Sequence, residues 1–142
     1  MTDNTAVTQH EGGVEEHLAH YTRVFNSGDA DAINRLYSDD AVSEWELGKP
    51  LTGQARKDAL AEFLTLKPRL TTKIRQSHVT ATTAFLVVDW TMETTNPDGT
   101  KELVKGIGTD VMHRGEEGEW RYVIDVPLGD PRNAEEPAPI SE

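Results

Sequence analysis

Three side chains stand out as able to move or share a proton: Tyr21, Asp110 and Asp125. Asp110 has Val104, Ile107 and Val111 nearby, and Asp125 lies between Ile124 and Val126. Aspartate is disfavoured in strands. Burying its carboxylate without a partner is costly unless the pKa rises. Each of the two therefore either faces water or is held neutral, in which state it can serve as an acid or base. Tyr21 sits on an apolar helical stripe. As a core residue it needs one partner for its hydroxyl, and as a pocket residue it can donate to an enolate or alkoxide. Asp89 interrupts Leu86-Val87-Val88 and Trp90, and reads as an outward residue on a strand with one wet face.

Composition narrows the chemistry. The chain has 142 residues, a net charge of −11 and no cysteine. Thiolate catalysis, disulfides and cysteine-based zinc sites are excluded. The charge argues against nucleic acid, which needs a basic footprint, and against anionic membrane surfaces. No apolar run has the ~20 residues of a membrane span. The N-terminus has no basic-then-apolar leader pattern, so a cytoplasmic location is expected. There is no G-x-G-x-x-G, no P-loop and no G-x-S-x-G elbow. Gly106-Ile107-Gly108 falls inside a strand pattern, where glycine marks a bulge or a close backbone approach. His17 and His20 are spaced for a metal but lie off the apolar stripe and read as a solvated face. No metal and no organic cofactor are expected.

The elements that would hold these residues follow in order. Residues 1–13 are polar, end in Gly-Gly and read as disordered. Val14, Leu18, Tyr21 and Phe25 form the stripe of a helix over 14–27, closed by Gly28. Asp29 caps a second helix, 30–37, with Ile33, Leu36 and Tyr37 inward. A strand is expected over 41–47, with Trp45 on one face and Glu44 and Glu46 on the other, followed by a turn at Gly48-Lys49-Pro50. A third helix covers 54–66 and carries Phe63; Pro68 stops it. Strands follow over 70–79, 84–95, 101–114 and 119–126, joined by turns such as Asn96-Pro97-Asp98-Gly99. The tail 130–142 is acidic, contains prolines and reads as disordered. Helices early and antiparallel strands late give an α+β domain over 14–129.

The order of elements resembles the nuclear transport factor 2-like superfamily, in its SnoaL-like and ketosteroid-isomerase-like branch. The residues that carry the resemblance are Phe25-Asn26-Ser27-Gly28-Asp29, Ile33, Leu36-Tyr37, Asp39-Asp40-Ala41-Val42, Leu51-Thr52-Gly53 and Trp120-Arg121-Tyr122-Val123-Ile124-Asp125. It implies a curved antiparallel sheet wrapped around about three helices, enclosing a cone-shaped pocket, and a homodimer. By position, Tyr21 is similar to the tyrosine that donates to the substrate oxyanion in ketosteroid isomerases. Asp110, in Asp110-Val111-Met112, is similar to their protonated aspartate. Their general-base position is occupied here by Trp45. Asp125 is similar to the last-strand acid or base of SnoaL-like cyclases and limonene-epoxide-hydrolase-like proteins.

The expectation is therefore a pocket enzyme that uses acid–base chemistry (isomerisation, polyketide-type cyclisation, dehydration or epoxide opening) on a small apolar oxygenated molecule. Asp125, Tyr21 and Asp110 are the expected catalytic groups. Trp45, Phe63, Trp90, Met112 and Val123 are the expected pocket walls. Strict strand alternation pairs Val123 with Asp125 on one face and leaves Tyr122, Ile124 and Val126 on the other. The alternative is a non-catalytic ligand-binding or dimerisation module of the same fold.

Overall fold

The computed structural model describes residues 3–135, with side chains over 13–134. Helix α1 is Asp3–Ser27, α2 Ala30–Asn34, and strand β1 Tyr37–Glu46. These are followed by β2 Lys49–Thr52, α3 Gly53–Leu64, β3 Arg69–Val79, β4 Thr83–Thr95, β5 Lys101–Arg114, β6 Trp120–Val126 and a short α4, Arg132–Glu135. Val14, Leu18, Tyr21 and Phe25 of α1 are all buried and form its core-facing stripe. The expected reading of residues 1–2 and 136–142 falls outside the described residues.

One curved, open sheet of six strands runs β2-β1-β6-β5-β4-β3. Strands β3 to β6 form the expected antiparallel meander. Strand β1 pairs with β6 in parallel. Helices α1 and α3 cover the inner face, where Leu60, Leu86, Val88 and Met112 join the α1 stripe in the core.

Three local departures from the sequence reading shape the inner face. First, Tyr37 is not the end of a helix. Helix α2 stops at Asn34, and Tyr37 opens β1 opposite Tyr122 of β6. An aromatic residue suits a half-buried strand, and this long-range pairing outweighs the short helical pattern. Second, Lys49–Thr52 is a strand and not merely a turn. Pro50 is tolerated there because β2 is an edge strand with no outer partner. Third, the β5–β6 register runs Val111↔Ile124 and then Met112↔Tyr122, which leaves Val123 as a bulge. A bulge moves later side chains to the opposite face. Tyr122 and Asp125, three residues apart, therefore face the same side, and strict alternation fails.

The C-terminal stretch is also ordered further than expected. Asp130 is buried and accepts from the Arg132 guanidinium at 2.7 and 2.8 Å. These bonds lower its pKa to about 2. Strand β6 ends opposite Thr109, so the β5 edge at Ile107 lacks a strand partner. The Asn133 side chain takes that place, accepting from the Ile107 N–H and donating to its carbonyl, each at 2.9 Å. Residues 127–128 pass close over β5. A Cβ on Gly106 would meet Trp90 at 2.7 Å, and one on Gly108 would meet Pro127 at 3.2 Å. The Gly-Ile-Gly segment is thus a close-approach site without a bulge, and its glycines let the 127–128 segment close one wall of a cavity.

Candidate active site

Between the sheet and the helices lies a cavity of about 280 Å³. Its walls are largely apolar: Leu18, Phe25, Phe63, Leu70, Val88 and Met92, with Trp45 and Trp90. Among the described residues no lysine, arginine or histidine lines it. Tyr21, Asp110, Tyr122 and Asp125 supply its ionisable groups. Trp45, Phe63 and Trp90 line it as expected from the sequence. Met112 does not: it is fully buried in the core. Val123 does not either, because the bulge gives its place to Tyr122.

Asp110 and Asp125 are cross-strand partners on β5 and β6. Asp110 is pushed well above the usual carboxylate range. Burial is the largest cause, followed by the charge of Asp125 and a hydrogen bond to it. Asp110 Oδ1 has no partner among the described residues. Two like charges close together in a dry site oppose each other's ionisation, and here the effect falls on Asp110, whose neutral form is favoured.

Asp125 is held by donors from two other elements. Tyr37 Oη donates to its Oδ2 at 2.8 Å, and Trp45 Nε1 donates to the same oxygen at 3.3 Å. Tyr21 Oη lies 2.7 Å from Tyr37 Oη. The three tyrosine rings 21, 37 and 122 pack edge-on or tilted, with centroids 4.8 to 6.1 Å apart. Burial, then the nearby carboxyls, raises all three phenol pKa values well above 10.0. They act as neutral hydroxyls at any ordinary pH.

Two contributors escaped the sequence reading. Tyr37 appeared there only as a helical core position. Arg56 carried no signal, since it falls among polar residues of α3. Yet Arg56 is buried, its guanidinium lies 4.4 Å from the centre of the Tyr37 ring, and it donates to Asn34 at 3.2 Å. A cation over the ring face polarises the phenol that holds Asp125.

Other titratable groups are accounted for by structure. Asp89 faces outward, as expected, in a fork with Arg75 at 2.8 to 3.2 Å. His17 is half-buried and not solvated: its ring packs 5.6 Å from that of Tyr122, and burial followed by His20 lowers its pKa to about 4. No described group of three or more His, Cys, Asp or Glu could hold a metal. No described helix is long and apolar enough to cross a membrane.

The SnoaL-like domain matches residues 18–123. Solved structures with the same fold include the epoxide hydrolase/cyclase-like enzyme SalBIII of pyran ring formation in polyether salinomycin. It is 24% identical, covering 84% of this chain and 92% of that one, with a TM-score of 0.59. A ketosteroid isomerase-like protein from Erwinia carotovora is 21% identical over 81% and 92% of the two chains, with a TM-score of 0.62. A protein from Xanthomonas campestris, described as a calcium/calmodulin-dependent protein kinase II association domain, is 18% identical over 82% and 86%, with a TM-score of 0.68. No protein of curated function matches. The differing roles named for these three follow from sites and not from the shared fold.

Proposed function

Because the chain belongs to the SnoaL-like family, within the nuclear transport factor 2-like superfamily, we propose that it is a cofactor-independent pocket enzyme. It applies acid–base chemistry to a small, apolar, oxygenated molecule in the cytoplasm. The reaction is an isomerisation, a polyketide-type cyclisation, a dehydration or an epoxide opening. The observation that carries this reading is the carboxyl pair. Asp110 and Asp125 meet in an apolar cavity that no cation lines among the described residues, and burial and Asp125 push the Asp110 pKa well upward. Asp125 is the proton acceptor, steadied by Tyr37 and Trp45. Asp110 is the proton donor. A positioned acid or base contributes about 10²–10⁴-fold, and a dry, preorganised site strengthens both.

The test is a mass-spectrometric screen of neutral ketones, epoxides and β-hydroxy carbonyl compounds, run with the wild type and with Asp125→Asn. Turnover by the wild type and its loss in a folded Asp125→Asn support the reading. Binding without turnover in every case leaves a carrier module instead.

The same reading includes a homodimer. On the outer face, Phe85, Val111, Ile124 and Val42 align across β4, β5, β6 and β1. Phe85 and Ile124 are 38% and 42% exposed. A second copy packing on this row would cover it. Light scattering of Ile124→Lys, expected to be monomeric, checks this.

A further inference from the structure

The protons on the side chains that line the cavity can be traced one by one. Tyr37 gives its single hydroxyl proton to Asp125 at 2.8 Å, so the 2.7 Å contact with Tyr21 must use the proton of Tyr21. Thr22 donates to the Leu18 carbonyl at 2.8 Å, so its 2.7 Å contact with Thr72 must use the proton of Thr72. The Trp45 N–H points to Asp125 and the Trp90 N–H to the Pro127 carbonyl. Asp110 is a carboxyl and not a hydroxyl; its cross-strand partner is Asp125, whose charge and hydrogen bonding, after burial, raise its pKa.

Tyr122 alone differs. It lines the cavity, yet its hydroxyl has no hydrogen-bond partner among the described residues. Ser43 also has an unpartnered hydroxyl, but it is fully buried and does not line the cavity.

We propose that Tyr122, and not Tyr21, is the hydrogen-bond donor to an oxygen atom of the ligand, and that this oxygen is a neutral acceptor such as a carbonyl or ether. The inference rests on the cavity being a small-molecule site. Tyr21 then acts through Tyr37 as a positioning residue for Asp125. A free acceptor oxygen gains a bond from Tyr122 that neither of the other lining hydroxyls, those of Tyr21 and Thr72, can give without breaking one of its own. An anionic ligand would meet the carboxyl pair and no cation. Tyr122 keeps its proton because burial, and then Asp110, oppose ionisation.

The probes are methyl naphthyl ketone and isopropenylnaphthalene, which has the same shape with CH₂ in place of the carbonyl oxygen. Binding is read by calorimetry, and the bound carbonyl by its infrared stretch. The wild type should prefer the ketone by up to about tenfold, the yield of one net hydrogen bond, with a lowered carbonyl stretch. Tyr122→Phe should lose both the preference and the shift, while Tyr21→Phe should keep both. Adding Tyr37→Phe to Tyr122→Phe releases the proton of Tyr21 and should restore part of the preference. A merely structural role for these rings would not produce that reversal. Should Tyr122→Phe fail to fold, ring-fluorinated tyrosine at 122 must lower the stretch further, and the same residue at 21 must not.

A preference that survives Tyr122→Phe, or one lost in Tyr21→Phe, overturns the assignment. Equal binding of both probes by the wild type removes the donor assignment and leaves the cavity reading standing. Binding of neither probe removes the cavity reading and the assignment with it.

Discussion

The two faces of the sheet treat aspartate in opposite ways. On the outer side, Asp89 and Asp130 each receive a guanidinium, from Arg75 and Arg132, at 2.8 and 2.7 Å. On the inner side, Asp110 and Asp125 receive no guanidinium among the described residues, but each other and neutral donors. The buried Arg56 reaches this side only through the ring of Tyr37. An acid given a cation is held in place by an ion pair. An acid given a second acid in a dry site must share a proton, and that instability is what proton transfer needs. The same residue type thus takes a cation on one face and a second acid on the other.

Substitutions can break or sharpen this contrast, and the largest effect is expected at Asp125. Asp125→Asn should lower turnover of any substrate found in the screen by about 10²–10⁴-fold, with little change in the melting curve. It should also lower the pKa of Asp110, because the second-ranked cause of its rise disappears while burial remains. The infrared carboxyl band of Asp110 reads this directly. An unmoved band would mean that the two acids do not sense each other.

Asp110→Asn comes next. A carboxyl whose folded pKa exceeds its unfolded value contributes most at pH below the unfolded value, and that contribution is lost as pH rises. At neutral pH Asp110 therefore costs stability. Asp110→Asn should raise it by about 1 kcal/mol while reducing turnover, as removal of a strained functional group does. Denaturant melts at pH 7 give the sign, and destabilisation would contradict the high pKa.

His17 tests the packing behind Tyr122, against whose ring it lies. Its folded pKa of about 4 lies below the ordinary histidine value of 6.5. The unfolded chain then binds the extra proton first, so stability falls as pH drops from 6.5 toward 4. His17→Gln should flatten that acid-side slope in melts across this range. An unchanged slope would assign the acid sensitivity elsewhere.

The smallest effect belongs to the outer face. Asp89→Asn breaks a partly exposed ion pair and should cost less than about 1 kcal/mol, with turnover unchanged. A loss of turnover there would erase the distinction between the faces.

The legibility of the chain divides along similar lines. The α1 stripe, the Gly28-Asp29 turn, the Asn96-Pro97-Asp98-Gly99 hairpin and the four-strand meander were readable because each is written in neighbouring residues. The chemical type of Asp110 and Asp125, carboxyls in apolar strands, was readable for the same reason. Tyr37 was not, because its role depends on pairing with Tyr122 far along the chain. Arg56 was not, because nothing local distinguishes a buried arginine from a solvated one on an amphipathic helix. The fate of Asp130 and Asn133 depended on an unpaired edge of β5 that only the finished sheet creates.

By itself, then, the sequence determined the class of fold, its helical cover and the two acids. Local periods of 3.6 and 2 residues encode those features within a few positions. The tertiary structure alone decided which hydroxyl could serve a ligand. The bulge at Val123 moved Tyr122 to the side of Asp125. The parallel pairing of β1 with β6 brought Tyr37 to Asp125 and committed the proton of Tyr21. A one-residue register change exchanges the faces of a strand, and the direction of a hydrogen-bond chain is set at its anchored end. Neither can be read from residues in isolation.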